Sequence, residues 1–314
     1  MGGSGFAATV RMVASMRNAI LALLIVAGGF PAFADPSELK PETAAAFDHY
    51  VRVAEAQMND DLDNGDFLAI DALPDQRRQA AYERIRRGQI YLEPLRTLED
   101  RHSIRVPGGM VHHWAGVIFI PGATLAETLA VLKDYNNHKS VYSSVIRDSK
   151  LLKHDGNDFK VYLQFYSTSV AVVVLNVNFD VAYAEFGNSR VQSTSHSERI
   201  AEIENLGKPN ERERPVGNDH GYLWRLESYW RVEEKDGGVY VQNESIALTR
   251  TIPVLLAWLI NPLVKSIPRS VISSLLLKTR DAVMKTRPAS VPGPPDVDKP
   301  APPSTEEPAH KPDQ

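Results

Sequence analysis

The sequence contains no cysteine, which removes disulfides, thiolate nucleophiles and cysteine-ligated metal sites together. It also lacks charge of one sign. Lys and Arg number 35 against 39 Asp and Glu, a net −4, so no basic footprint for nucleic acid exists. Long apolar runs are scarce. Ala19 to Gly29 is about half of the ~20 residues needed to span a bilayer. No Gly-x-Ser-x-Gly elbow occurs, and His196 sits in the Ser- and Thr-rich stretch Ser193–Ser197 without the sharp turn a serine nucleophile requires. Asp60–Gly65 fails as a calcium loop, because Leu62 and Leu68 fall on ligand positions and Asp71 replaces the closing glutamate. His112 and His113 are neighbours in a strand and point to opposite faces, one toward the interior and one toward solvent, so they do not close a metal site. No cofactor and no metal are expected.

What is present divides the chain into four parts. Arg11 and Arg17 precede the short apolar run, and Ala32-Phe33-Ala34 has the form of a signal-peptidase site. Residues 1–34 therefore read as a signal peptide cleaved after Ala34. Export without disulfides suits a periplasmic or secreted bacterial protein. Residues 287–314 are rich in proline and charge and are expected to be disordered. Residues 35–108 form an N-terminal α/β extension: a helix over Pro41–Met58, a strand over Phe67–Leu73, a helix over Pro74–Arg87 and a strand over Gln89–Leu98. Residues 109–286 form the main domain.

In the main domain, Tyr222 to Val232 alternates by side. Trp224, Leu226, Ser228, Trp230 and Val232 face one way, Arg225, Glu227, Tyr229 and Arg231 the other. Asp236-Gly237 is a tight-turn signal. The returning strand then pairs Trp230 with Asn243, Ser228 with Ser245, Leu226 with Ala247 and Trp224 with Thr249. On the other face lie Arg225, Arg231, Glu244 and Arg250. If that face is convex they are solvated cross-strand pairs. If it is concave, a buried Arg–Glu set would hold a head group. Thr124 caps a helix, and Asp155–Asp158 is a second hairpin turn. Pro268 and Ser270 open a helix carrying Ile272, Leu275, Leu276, Thr279 and Val283. The fold class is α+β, a curved antiparallel sheet of about seven strands wrapped around a long C-terminal helix.

This order of elements, with the run Tyr222-Leu223-Trp224-Arg225 … Tyr229-Trp230-Arg231 … Gly237-Gly238-Val239-Tyr240 … Leu248-Thr249-Arg250 … Ile267-Pro268-Arg269, resembles the START/SRPBCC superfamily and its helix-grip fold over about Gly109 to Lys285. The resemblance implies a deep apolar cavity for a lipid, a sterol-like molecule or another hydrophobic ligand. Some similar proteins are cyclases or hydrolases. The expected function is binding, and transfer, of a hydrophobic small molecule by a monomer. The alternative is an enzyme of cyclase or hydrolase type acting on an aromatic or polyketide-like substrate. Trp224, Trp230, Tyr162 and Tyr166 are expected as wall residues, with the parity of the Tyr162–Tyr166 face left open. Tyr142 and His138, beside Tyr135, belong near the mouth. The apolar stretch Pro253–Val264 reads as packing beneath the terminal helix, as a lid, or as a patch touching a membrane during exchange.

Overall fold

The computed structural model describes residues 37–168, 172–251 and 254–286, with the side chains of 254–266 excepted. The expected signal peptide and disordered tail lie outside the described residues. The extension supplies α1 (Pro41–Asp63), α2 (Asp75–Arg86) and β1 (Tyr91–Pro94). The main domain supplies β2 (Gly109–Pro121), α3 (Leu125–Lys133), a one-turn α4 (His138–Val141), β3 (Ile146–Asp155), β4 (Asp158–Ser167), β5 (Val173–Glu185), β6 (Arg190–Glu204), β7 (Arg225–Lys235), β8 (Gly238–Arg250) and α5 (Val254–Thr286). Among the described residues no helix is long and apolar enough to cross a membrane.

One nine-stranded antiparallel sheet runs β1-β2-β8-β7-β6-β5-β4-β3, with Arg212–Glu213 added to β6. Eight strands, Arg212–Glu213 included, come from the main domain. The extension contributes β1, paired to β2, so the sheet is wider than the seven strands expected. The β7–β8 hairpin turns at Asp236 and Gly237, whose φ values of 55° and 71° are those of a two-residue turn. Its ladder pairs Trp230 with Asn243, Ser228 with Ser245 and Leu226 with Ala247, the register predicted from alternation. The ladder ends at Arg225–Leu248, so the expected Trp224–Thr249 pair does not form.

Thr124 starts α3 through a capping box: Glu127 N–H donates to its Oγ1 at 3.2 Å, and Glu127 Oε2 accepts from Thr124 N–H at 2.9 Å. The terminal helix is longer than the sequence implies. It begins at Val254, not at Pro268, and continues through Pro268 although proline removes one backbone hydrogen bond. Ile272, Leu276 and Val283 are fully buried against Ile118, Ile120, Val239 and Val241 of the concave face. The helix sits close at Gly116, where a β-carbon would stand 2.8 Å from Ile272 Cγ2 and from Leu276 Cδ1. A sheet curved around its last helix is the helix-grip arrangement.

The convex face is also buried, which neither reading of the Arg–Glu set anticipated. The extension covers it. α1 packs Phe47, Tyr50, Val51, Ala54 and Met58 on Tyr229, Ile246 and Leu248. Phe67, Leu68, Ile70, Ala81 and Ile85 pack on Val117, Phe119 and Tyr240. Phe67–Leu73 is a chain of turns, not the expected strand, because the Asp71 carboxylate accepts from both Phe67 N–H and Leu68 N–H at 3.1 and 2.8 Å. Arg231, 2% exposed, donates to Gln192 Oε1 at 3.0 Å, Phe67 O at 3.0 Å and Met58 O at 3.3 Å. It thereby ties the sheet to the extension at the end of α1. His113 Nε2 meets Glu244 Oε1 at 2.7 Å and its Nδ1 meets Tyr50 Oη at 3.1 Å. Arg231 and Glu244 are thus buried under the extension and are not solvated cross-strand pairs, whereas Arg225 and Arg250 are half-buried. Both His112 and His113 are buried, so the expected solvent-facing histidine does not exist.

Candidate functional site

Between α5 and the concave face the side chains do not close completely. A cavity of about 130 Å³ remains, close in size to a ~150 Å³ engineered cavity that admits benzene. Its walls come from every layer of the domain. β4 contributes Val161, Leu163 and Phe165, β5 Phe179, Val181 and Tyr183, α5 Val271, Ile272 and Leu275, and the α3–α4 region Leu132, Tyr135, His138 and Tyr142. The floor is more polar, with Ser193 and Ser195 of β6, Leu226, Ser228 and Trp230 of β7, and Asn243 and Ser245 of β8. Asn243 and Ser193 stand opposite Trp230 in the two ladders, and neither side chain reaches far enough to fill the space beside the indole.

A β-bulge in β6 bounds the floor. Register shifts between Asn178 and Phe179, opposite Arg199 and Ser197, so Ser193 and Ser195 face inward before the bulge and Ile200 and Glu202 after it. Beyond it a larger hollow of about 300 Å³ lies at the end of β5 and β6, lined by Glu202, Glu204, His220 and Tyr222. The Glu202 carboxylate already accepts from His220 N–H, His220 Nδ1 and Tyr222 N–H at 3.0, 2.8 and 3.1 Å. It pins the 219–222 loop. The smaller apolar cavity, not the larger polar one, has the composition of a small-molecule site.

Three expected site residues line the cavity: Trp230, Tyr142 and His138. The other three do not. Trp224 precedes β7, and its indole N–H donates to Asp219 Oδ1 at 3.0 Å. The chain turns before the ladder begins, and the ring packs with α1 on the convex side. Tyr162 and Tyr166 sit on the opposite parity of β4 from Val161, Leu163 and Phe165. Tyr162 donates to Asn176 Oδ1 at 2.8 Å, and Tyr166 is 37% exposed. The sequence held the signal that corrects them. The tyrosines share a face with Lys160 and Gln164, whereas the intervening residues are uniformly apolar.

Electrostatics inside the cavity are muted. Burial lowers the His138 pKa to about 4, so its imidazole is neutral at pH 7, and Nε2–H donates to Leu132 O at 3.1 Å. Burial raises the phenols of Tyr135 and Tyr142, and that of Tyr183 to about 12. Tyr135 and Tyr183 share a hydrogen bond of 2.9 Å. Tyr142 Oη lies 2.9 Å from Thr279 Oγ1, fastening the segment after α4 to α5. None of these phenols is poised as a base. Among the described residues no carboxylate, Lys or Arg lines the cavity, and no group of His, Asp and Glu could hold a metal ion.

No protein-family model matches the sequence, and no curated protein matches it. Among solved structures, the chain is similar to a STAR-related lipid transfer protein from Xanthomonas axonopodis (18% identity, TM-score 0.39, covering 56% of this chain and 96% of that one). It is also similar to human STARD10 (12%, TM-score 0.38, 68% and 81%) and to the Zhui aromatase/cyclase from Streptomyces sp. R1128 (11%, TM-score 0.37, 58% and 99%). The described architecture is an antiparallel sheet gripping its last helix over an apolar cavity, a helix-grip arrangement.

Proposed function

We propose that the protein binds a hydrophobic small molecule in the cavity beneath α5. The observation that carries this reading is a hollow walled by aliphatic and aromatic side chains from β4, β5, β7 and α5. Burying one aromatic ring there removes roughly 150 Å² of apolar surface from water, worth about 4 kcal/mol before the cost of association. A volume of about 130 Å³ admits a ligand of one ring. A diacyl lipid or a sterol requires α5 to move outward. Transfer to and from a membrane belongs to the same proposal, with the apolar Pro253–Val264 stretch at the start of α5 as the contact. That stretch is backbone-helical from Val254, and its side chains lie outside the described residues. Action as a monomer after export, following the sequence reading of residues 1–34, completes it.

The cyclase reading has one observation in its favour, an uncharged histidine, His138, on the cavity wall. Its low pKa makes it a weak base at neutral pH, and no acid in the cavity partners it among the described residues. Binding is therefore the better-supported function. Native mass spectrometry of the protein purified from its own host tests it: a co-purified hydrophobic compound is expected, lost in Trp230→Ala and retained in Tyr162→Ala. A bare-mass protein with no affinity for alkylbenzenes overturns the proposal.

A further inference from the structure

The chemistry of the cavity floor narrows the class of ligand. Asn243 donates its amide N–H to Ser228 Oγ at 3.0 Å, which leaves the amide oxygen of Asn243 unpartnered among the described residues. The hydroxyls of Ser195 and Ser245 and the indole N–H of Trp230 likewise have no hydrogen-bond partner among them, and all four residues line the cavity. They sit on adjacent strands in register: Trp230 pairs with Asn243 and Ser245 with Ser228, which in turn pairs with Ser195. A band of donors and acceptors thus crosses the floor of an otherwise apolar hollow. No side chain of fixed charge lines that hollow among the described residues, and His138 is neutral. An anionic head group entering it would be desolvated without a counter-ion, a cost far above that of a paired hydroxyl.

We infer that the ligand is a neutral amphipathic molecule of about one ring, carrying a hydroxyl or carbonyl that docks on Ser195, Ser245, Asn243 and Trp230, and that carboxylates and phosphate esters are excluded. The inference rests on the binding function proposed above and specifies its ligand. The floor discriminates by hydrogen bonding, and the walls contribute affinity without selectivity among apolar groups of the same size.

Calorimetric titration of the full chain with para-ethylbenzyl alcohol, para-ethyltoluene and para-ethylbenzoate tests it, since the three differ only in the polar group. The alcohol is expected to bind ~3- to 10-fold more tightly than the hydrocarbon, the worth of about one net hydrogen bond. The carboxylate is expected to bind at least ~100-fold more weakly than the alcohol. Ser195→Ala with Ser245→Ala, its fold checked by a circular-dichroism melt, should reduce the ratio of alcohol to hydrocarbon affinity at least ~2-fold, since Asn243 and Trp230 remain; each single variant repeats the test if the pair does not fold. Equal binding of alcohol and carboxylate, or a ratio of alcohol to hydrocarbon affinity left unchanged by both substitutions, overturns the inference while leaving a hydrophobic site. Failure of all three probes to bind folded wild-type protein overturns the binding function itself, and this inference with it.

Discussion

Residues 230 and 231 are chain neighbours with opposite fates, and replacing each in turn separates the two faces of the sheet. Arg231→Ala strips three donated hydrogen bonds, to Gln192, Phe67 and Met58, and leaves two buried backbone carbonyls without that donor. The void left by the side chain, on the order of 100 Å³, alone costs about 2 kcal/mol. Removing a buried cation from its partners brings the total to about 3–5 kcal/mol. For a chain of this size that corresponds to a fall of roughly 10 °C in Tm. Circular-dichroism melts and urea titrations measure it directly. The contrast is functional: Arg231 does not line the cavity, so hydrophobic-probe affinity below the melting transition should stay within about twofold, whereas Trp230→Ala should weaken it much more. A loss under about 1 kcal/mol in Arg231→Ala would refute the claim that this side chain locks the extension to the sheet. Equal losses of probe affinity in the two variants would refute the assignment of faces.

Two further outcomes follow from packing and titration. Gly116→Val inserts side-chain atoms where a β-carbon already meets Ile272 and Leu276 at 2.8 Å; it should lower stability by about 1–3 kcal/mol in urea unfolding, and an unchanged midpoint would contradict the close seat of α5. His112 and His138 are both held near pKa 4 by burial, below their ordinary value, so the unfolded chain takes up the protons first. Their contribution is complete above the unfolded pKa near 6.5 and is lost as pH falls toward 4, about 2 kcal/mol for each at pH 5. His196 acts in the opposite sense: its pKa is raised by its hydrogen bond to Glu227, and its smaller, partly solvent-screened contribution is present at low pH and lost as pH rises through that raised value. Urea unfolding between pH 7 and 5 should therefore show declining stability, with the slope reduced in His138→Asn; a flat profile, or one unaffected by that change, would contradict the buried neutral imidazole.

The sequence was most informative where a period or a turn dominates. The β7–β8 register follows from the Asp236-Gly237 turn and from strict alternation, since a slip of one residue would exchange both faces. Trp230 could be placed for that reason. Trp224 could not, because alternation holds only inside a ladder and the chain bends before Arg225. The tyrosines of β4 misled because a tyrosine fits a cavity wall as well as a wet surface; Lys160 and Gln164 beside them carried the better clue. The burial of Arg231, Glu244 and His113 was illegible from the strands alone. It depends on which segment covers the convex face, and that segment, α1 with the turns after it, lies far away in the chain, 63 residues between Tyr50 and His113 and 164 between Phe67 and Arg231. Local pattern identifies a face but not what lies on top of it.

The measurement that bears most directly on the cavity is an anomalous difference map from crystals grown with bromobenzene, a neutral one-ring ligand whose bromine reports its own position. A single strong peak is expected between Trp230 and Leu275, with α5 in place above it. Side chains filling that volume, or bromine found only on the outer surface, would contradict it.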